Sequence, residues 1–345
     1  MSAQQTPLWI GTYPVAGAGT PVGQGEGIWR VDLDPATGAL SGARQVAQTP
    51  SPSFLALHGT VLYAVNEQAG GTVGAFDVVG DTLVHRGTVP SGGADPCHLL
   101  LDCDGRALLV ANYSSGTLGV LPLDADGGFA TPGPDLVLGH AGSGPDESRQ
   151  ESPHAHFVAH DPSGAFVLVV DLGTDEIRRY RRIDGRLVED GIAASLPAGT
   201  GPRHLTFSAD GRLAYVVGEL DVTVRVLAWS DGAGTLVQTL PATTVPAREP
   251  GRRVLPSHIA RDGDRVLVGV RTSDVLARFA VRADGLLEPV ADDALPGAWP
   301  RHFAVVDGWT VVAEQVSGGL AVLAADGAVV STLDLPAAAC VLPAR

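Results

Sequence analysis

Short apolar runs alternate with polar turns along the chain, in a pattern typical of strands rather than helices. Residues 202–240 show it most clearly. Four runs rich in Val, Leu, Tyr and Phe occupy 205–207, 213–217, 223–229 and 236–240, and Gly, Asp or Pro bound them. Asp210-Gly211, between the first two runs, is typical of a β-hairpin turn. Enrichment in β-branched and aromatic residues between such turns predicts four short strands in this unit.

The same unit recurs, and most copies open on a Pro-x-His triplet. The copies are Pro96-Cys97-His98, Pro202-Arg203-His204, Pro256-Ser257-His258 and Pro300-Arg301-His302, with a longer variant at Pro153-His154-Ala155-His156 and a histidine-free one at Pro52-Ser53-Phe54. Second strands are expected at 107–111, 166–170, 266–270 and 309–313 as well. The opening prolines lie 44 to 57 residues apart. Four-stranded units repeated at this spacing predict a β-propeller.

The two ends of the chain complete the ring in this prediction. Segment 336–342 resembles a first strand, and segments 8–13, 28–32 and 45–47 resemble second, third and fourth strands. Together they would form a seventh blade, and closing the ring would remove exposed sheet edges. We therefore predict an all-β fold, a single domain over residues 1–345. It is a seven-bladed β-propeller of four-stranded antiparallel blades, closed by pairing the N- and C-terminal segments. A pair of β-sandwiches is the alternative, but it would lack a fixed repeat.

Composition restricts the partners of such a fold. The 345 residues carry a formal net charge of −15, which disfavours nucleic acid, because phosphate backbones bind to basic surfaces. There is no run of about 18 apolar residues, so we expect no membrane span. Residues 1–5 lack the basic and apolar segments of a signal peptide, and we expect a cytoplasmic protein. Cys97, Cys103 and Cys340 have no metal-binding spacing, which favours reduced thiols.

The choice of basic residue restricts the chemistry. All 23 basic residues are arginines, and the sequence contains no lysine. Schiff-base catalysis is therefore excluded, because no lysine amine is available. Every fixed cation is a guanidinium, which suits two-pronged binding of a carboxylate or a phosphate.

The repeat also predicts where functional side chains meet. First strands line the central channel of a propeller, so the triplets and the ends of the second strands should lie near one mouth. The triplets would contribute His98, His154, His156, His204, His258, His302, Arg203 and Arg301. The second-strand ends would contribute Glu67, Asn112, Asp171, Glu219, Arg271 and Glu314. The alternative is structural: the histidines would hydrogen-bond neighbouring blades, and the charged groups would form ion pairs or turn caps.

A long loop at 139–152 interrupts the repeat. Long loops in compact folds are often functional, and this one would carry His140, Arg149, Gln150 and Glu151 over the mouth. A surface insertion is the alternative. Because the lengthened triplet follows this loop, we expect the site to lie off the ring axis, against the blades begun by Pro153 and Pro202.

The lengthened triplet also carries possible metal ligands. His154 and His156 have a spacing that could bind zinc together with Asp171. The arginines expected around them would repel a metal ion. We therefore expect no metal and no cofactor.

Four segments are distinctive enough to suggest a family. They are Ser-Arg-Gln-Glu-Ser-Pro-His-Ala-His at 148–156, Asp-Leu-Gly-Thr-Asp at 171–175, Gly-Pro-Arg-His at 201–204 and Glu-Leu at 219–220. Over essentially its whole length the chain resembles the cycloisomerase-2-type lactonase family of seven-bladed propellers. That family includes bacterial 6-phosphogluconolactonases and is similar to fungal carboxymuconate cyclases, so the substrate does not follow from the fold.

The resemblance implies hydrolysis of 6-phospho-D-glucono-1,5-lactone to 6-phosphogluconate, a step of the pentose phosphate pathway. Opening this lactone needs a base for water, donors for the oxyanion and a phosphate clamp. We expect Glu219 or His156 as the base, Asp171 orienting a histidine, and His204 among the catalytic groups. The expected substrate-binding residues are Arg203, Arg271, Arg301, His154, His258, His302, Arg149 and Glu151.

Two other functions are compatible with the sequence. The first is a lactonase or cycloisomerase acting on a carboxymuconate-like dicarboxylate, since arginines bind carboxylates as well as phosphates. The second is a non-enzymatic propeller that serves as an interaction platform, which would leave the channel mouth chemically plain. Convergence of histidine and arginine at the mouth counts against the second. In both enzymatic cases the partner is a small molecule.

Overall fold

The computed structural model describes residues 5–13 and 27–344. The first four residues, on which part of the signal-peptide expectation rests, lie outside this range. Within the described part of the chain, no helix has the length and hydropathy needed to cross a bilayer.

The described residues form seven four-stranded antiparallel sheets. The chain starts with β1 (Thr6–Thr12), β2 (Ile28–Leu33) and β3 (Leu40–Ala47). Blade 2 consists of β4 (Leu55–His58), β5 (Val61–Asn66), β6 (Thr72–Val79) and β7 (Thr82–Pro90). Blade 3 consists of β8 (Pro96–Leu101), β9 (Ala107–Asn112), β10 (Thr117–Pro122) and β11 (Leu136–Gly139). Blade 4 consists of β12 (Ala155–His160), β13 (Phe166–Asp171), β14 (Glu176–Ile183) and β15 (Arg186–Ser195).

Three further blades and one last strand complete the ring. Blade 5 consists of β16 (Pro202–Phe207), β17 (Leu213–Gly218), β18 (Thr223–Ser230) and β19 (Ala233–Pro241). Blade 6 consists of β20 (Leu255–Asp262), β21 (Arg265–Arg271), β22 (Val275–Val281) and β23 (Leu287–Ala294). Blade 7 consists of β24 (Pro300–Val306), β25 (Trp309–Glu314), β26 (Gly319–Leu323) and β27 (Val329–Asp334). The last strand, β28 (Ala338–Pro343), pairs with β1 and makes blade 1 in the order β28-β1-β2-β3.

The predicted architecture is confirmed, including the closure of the ring by the two chain ends. Leu8 pairs with Pro343 and Ile10 with Val341, so the C-terminal strand is the innermost strand of a blade whose other strands are N-terminal. In blade 5 the predicted strands match closely, except that β16 starts at Pro202 rather than at 205 and β19 starts at Ala233 rather than at 236. Asp231 and Gly232 form the preceding hairpin turn, with φ of 51° and 69°, a conformation that Gly and Asp tolerate best.

The core lies between the blades. Second strands are buried on both faces, and β5 and β9 are buried throughout, whereas the outer strand β19 alternates between exposed and half-buried positions. Between blades 5 and 6, Val217 and Val224 belong to one cluster with Val266 and Val268, all fully buried. Each such side chain contributes about 1.5–3 kcal/mol by leaving water. Packing of blade on blade therefore holds the ring together.

The first strands of blades 3 to 7 enter their blades through a β-bulge, which decides where the triplet side chains lie. In blade 3, Pro96 pairs with Asn112 and His98 with Ala111, so Cys97 is the extra residue. Blades 5 and 7 repeat this arrangement with Arg203 and Arg301. A bulge re-aims one side chain relative to the strand that follows it.

Blade 4 corrects the alignment of the lengthened triplet. Ala155 pairs with Asp171 and Phe157 with Val170, so His156 is the bulged residue. His156 is therefore the structural counterpart of Arg203, and Phe157 the counterpart of the triplet histidines. This could not be established from the sequence, because Pro153-His154 resembles the start of a triplet but lies two residues too early.

Six residues at equivalent places near the starts of the first strands form a closed aromatic ring across the channel. Its members are Phe54, His98, Phe157, His204, His258 and His302, with neighbouring ring centroids 4.1–5.4 Å apart. His98 Nδ1 accepts the Val158 N–H and His302 Nδ1 accepts the Val341 N–H, each at 3.3 Å and each from the next blade. We call this set the aromatic ring; it separates a cavity at one mouth from an apolar one at the other.

Candidate functional site

A cavity of about 560 Å³ occupies the mouth on the bulge side of the aromatic ring. Six of the predicted site residues line it: Arg149, His156, Arg203, Glu219, Arg271 and Arg301. Other lining residues include Tyr13, Glu67, Gln68, Asp95, Cys97, Tyr113, Ser114 and Trp299. His156, Arg203 and Arg301 stand on bulges. Glu219 and Arg271 stand where second strands end. The repeat therefore directs side chains from several blades into one space.

Glu219 is the centre of the charge arrangement. Its Oε1 accepts a hydrogen bond from Arg149 Nη2 at 2.6 Å, and its Oε2 accepts one from Arg271 Nη2 at 2.5 Å. Arg203 Nε lies 3.0 Å from the same Oε2. Burial alone would raise the pKa of Glu219, but Arg271, Arg149 and Arg203 outweigh it and hold the pKa well below its ordinary value. Glu219 is thus a permanent carboxylate that fixes three guanidinium groups.

His156 stands next to this cluster as a neutral imidazole. It is 6% exposed. Burial first, and then the nearby Arg203 guanidinium, hold the pKa of His156 well below its ordinary value. The Cys97 sulfur lies 3.8 Å from His156 Nδ1. Burial raises the pKa of the Cys97 thiol, so the sulfur is uncharged, and the imidazole is the neutral proton acceptor among these lining groups.

Arg203 is itself deeply buried. Its Nη1 donates to the Ser257 carbonyl at 2.7 Å. Burial and the adjacent Arg271 charge lower the pKa of Arg203 to about 9, so the guanidinium still carries its charge at neutral pH. Two buried guanidiniums held side by side by one carboxylate offer several N–H donors to an anion or a developing oxyanion.

Another wall of the cavity carries a second ion pair. Arg301 Nη2 donates to both carboxylate oxygens of Glu67, at 2.9 and 3.1 Å. The Tyr13 ring lies 4.7 Å from the Arg301 guanidinium, a cation–π distance. Glu67 stands at a second-strand end, as the repeat predicts, but the sequence indicates no role for it and gives no signal for Tyr13.

Trp299 is a further lining residue that the sequence did not indicate. Its backbone adopts a left-handed conformation with φ of 68°, which is unfavourable for a bulky residue. The Asp274 carboxylate accepts the Trp299 N–H at 2.7 Å and holds it there. The Trp299 ring lies 5.4 Å from the Arg271 guanidinium. Strained residues of this kind cluster at functional sites.

The long loop brings one arginine to the site and is firmly held. Gln150 is fully buried, and its Nε2 donates to the Leu172 carbonyl and to Asp175 Oδ1, both at 2.9 Å. The residue before it, Arg149, thereby reaches Glu219. Of the four polar loop residues expected over the mouth, Arg149 alone lines the cavity among the described residues.

Two other loop-side candidates lie beside the cavity rather than in it. The His154 ring stacks on Tyr113 with centroids 4.4 Å apart, and its Nδ1 lies 3.0 Å from the Tyr113 carbonyl. Glu151 Oε1 is 3.2 Å from His154 Nε2, and its side chain is 56% exposed. Both residues therefore support Tyr113, which lines the cavity.

Asp171 is the last residue of β13 and lies outside the cavity. Its Oδ1 accepts the backbone N–H groups of His154, Gly173 and Thr174 at 2.9–3.0 Å, and its Oδ2 is 3.3 Å from His140 Nε2. Burial raises the pKa of Asp171. It orders the start of blade 4 and the long loop. The remaining predicted residues, His204, His258 and His302, belong to the aromatic ring beneath the cavity, because the bulges turn them into the channel.

Comparison with known proteins gives consistent results. A family model described as "Lactonase, 7-bladed beta-propeller" matches residues 7–342. The 6-phosphogluconolactonase of Bacillus subtilis is 32% identical over 330 residues, covering 92% of this chain and 90% of that protein. A periplasmic gluconolactonase of Pseudomonas aeruginosa superposes with a TM-score of 0.85 at 30% identity, covering 99% of both chains. A protein from Lactobacillus plantarum superposes with a TM-score of 0.89 at 28% identity, covering 99% of this chain and 100% of that one.

Proposed function

Since the chain belongs to the family of seven-bladed β-propeller lactonases, it is a lactone-hydrolysing enzyme, and we propose that its substrate is 6-phospho-D-glucono-1,5-lactone. One observation carries the proposal: a neutral imidazole, His156, lines a cavity beside two buried guanidiniums, Arg203 and Arg271, which Glu219 fixes. This combination supplies a base and an oxyanion site within one enclosed space.

His156 is the general base in this mechanism. It takes a proton from a water molecule as the water oxygen attacks the lactone carbonyl carbon. Arg203 and Arg271 stabilise the negative charge that forms on the carbonyl oxygen. The ring C–O bond then breaks, the leaving oxygen takes the proton from the imidazolium, and the product is an open-chain carboxylic acid. Glu219, the other candidate base, has both oxygens engaged by arginines, so its role is to position them.

The charge of the cavity supports an anionic substrate. Four arginines line it against three carboxylates, those of Glu67, Asp95 and Glu219. Arg301 stands apart from the Glu219 cluster and is paired with Glu67, and we assign it to the phosphate. Phosphorylated sugars are made inside cells, so a cytoplasmic location is part of this proposal.

An unphosphorylated aldonolactone is the second candidate. Each lining arginine already has a carboxylate partner, and carboxylates accept hydrogen bonds from sugar hydroxyls. The structural relative from Pseudomonas aeruginosa is named a periplasmic gluconolactonase. A carboxymuconate-like substrate is less well supported, because the relatives compared above are named for lactones of gluconate or phosphogluconate.

Steady-state hydrolysis of the two lactones, followed by acid release with a pH indicator, tests the proposal. We expect a higher kcat/KM for the phosphorylated lactone than for gluconolactone. Arg301→Gln should reduce the ratio of the two kcat/KM values. A higher value for gluconolactone would contradict the phosphosugar assignment and favour the second candidate.

The catalytic assignment has a separate test. His156→Gln should lower kcat by about 10²–10⁴-fold, the usual worth of a general base, with unchanged thermal unfolding. His85→Gln is the matched control, because His85 is exposed and lies outside the cavity. Activity of His156→Gln within a few-fold of the wild type would exclude His156 as the base.

A further inference from the structure

A second cluster of reactive side chains lies away from the mouth. Asp102 and Cys103 stand in the turn that follows β8, and His160 is the last residue of β12 in the next blade. A carboxylate oxygen of Asp102, the Cys103 sulfur and a ring nitrogen of His160 all lie within 4.8 Å of one another. Both strands start at the mouth, so their ends meet at the opposite face of the propeller.

The hydrogen bonding of His160 leaves one of its ring nitrogens available to a metal ion. Its Nε2 lies 2.9 Å from the Leu101 carbonyl oxygen, to which it can only donate. That bond leaves the lone pair on Nδ1, which is buried and has no hydrogen-bond partner among the described residues. Metal-binding histidines usually donate their other N–H to a carbonyl or carboxylate, which fixes the tautomer.

Asp102 and Cys103 complete the donor set. Asp102 is 5% exposed, and its Oδ1 accepts the Cys103 N–H at 2.9 Å. Its Oδ2 is free of the backbone and contacts the Arg182 guanidinium. Cys103 is exposed, so its thiol can rotate without disturbing the core. A cleft of about 280 Å³ is lined by these residues and by Asp104, and it connects the cluster with solvent.

We propose that Asp102, Cys103 and His160 form a binding site for a zinc-class divalent cation that joins blades 3 and 4. One thiolate, one imidazole and one carboxylate match the ligand preference of zinc, whereas calcium and magnesium favour oxygen ligands alone. Zinc–ligand distances of about 2.0–2.3 Å require the donor atoms to approach somewhat closer than 4.8 Å, and rotation of the Cys103 side chain provides this. Water or Asp104 would fill the fourth position, and the thiol would lose its proton on binding.

Arg182 is a built-in competitor for this site. Its side chain is 34% exposed, it pairs with Asp102, and its Nη1 donates to the Gly185 carbonyl at 2.9 Å. A cation bound to Asp102 Oδ2 must displace the guanidinium, which can swing into solvent. Removing Arg182 should therefore strengthen metal binding, the opposite of what a purely structural ion pair would show.

The spacing of the cysteines did not indicate this site, because its ligands come from two blades. Cys103 and His160 are separated by a full repeat, and Asp102 resembles an ordinary turn aspartate. The inference concerns the face away from the cavity and is independent of the lactone substrate.

Zinc titration of the whole protein against a chromophoric chelator tests the proposal. We expect one zinc per chain, with the affinity weakened at least about tenfold by Cys103→Ser and by His160→Gln, and strengthened by Arg182→Ala. Cobalt added in place of zinc should produce thiolate-to-cobalt absorption that Cys103→Ser abolishes. His85→Gln is the control and should bind as the wild type does.

Lactone hydrolysis and circular dichroism of the variants verify that each one folds, since none of the substituted residues touches the cavity. The proposal is overturned if the wild type binds no zinc at micromolar concentration, or if Cys103→Ser and His160→Gln bind it unchanged. Weaker binding by Arg182→Ala would show that the guanidinium supports the site rather than competing for it, and would also overturn the proposal.

Discussion

Replacing Glu219 by glutamine should destabilise the protein far more than loss of a typical ion pair. The amide keeps the shape of the side chain but removes the charge that compensates Arg203 and Arg271, which are 2% and 6% exposed. Leaving a buried charge without its partner costs about 3–5 kcal/mol. Arg149 contributes less to this loss of stability, because its side chain is 26% exposed and water can solvate its charge.

Urea unfolding followed by tryptophan fluorescence measures this effect. Glu219→Gln should lower the free energy of unfolding by about 3–5 kcal/mol, whereas Glu249→Gln should change it by less than about 1 kcal/mol. Glu249 is a suitable control because its pair with Arg252 is exposed and 4.0 Å long. Activity should fall together with stability, since the oxyanion donors lose their fixed positions.

A double variant identifies the cause. In Glu219→Gln the Arg271 guanidinium is a buried charge without compensation, so adding Arg271→Met should recover part of the lost stability. Such coupling between contacting residues is measured by a double-mutant cycle. If Glu219→Gln lies within about 1 kcal/mol of the wild type, or if Arg271→Met only adds to the loss, the charge argument for this cluster is refuted.

Three further outcomes are expected. Burial lowers the pKa of the imidazoles in the aromatic ring, that of His302 to about 3, so the folded state binds fewer protons than the unfolded chain. Stability should therefore fall as the pH drops below the ordinary histidine pKa of about 6.5, by about 2 kcal/mol per imidazole between pH 7 and pH 5; a melting temperature that is unchanged between these pH values would contradict this. Gln150→Leu should reduce kcat/KM severalfold by releasing Arg149, while His140→Gln, near the start of the same loop and outside the cavity, should reduce it less in the same lactone assay. Gly119→Ala should cost about 1–3 kcal/mol in urea unfolding, because its Cβ would lie 2.0 Å from the Ser91 carbonyl oxygen, and Gly70→Ala, with no atom within 4 Å of its Cβ, should cost much less.

The strands and the closure of the ring could be predicted from sequence, because local patterning determines them. Apolar runs bounded by Gly, Asp and Pro gave the second strands almost to the residue, as at 213–217 against the observed Leu213–Gly218. The regular spacing of the repeat then predicts a propeller in which every four-stranded unit is a blade. The partial units at the two chain ends together make the seventh blade.

The orientation of individual side chains could not be predicted in the same way. A bulge shifts the register by one residue, so neighbours such as Arg203 and His204 point to different places, the first into the cavity and the second into the aromatic ring. Nothing in the triplet shows which residue is bulged. Tyr113 and Trp299 were missed for a related reason: each lies in a turn between repeat elements, where periodicity carries no information.

The aromatic ring has a consequence for turnover. Because the aromatic ring blocks the channel beneath the cavity, substrate and product must pass through the same mouth. The next lactone molecule cannot enter the cavity until the product acid has left it. Release of the product acid through this mouth, past the lining arginines, is therefore part of every turnover.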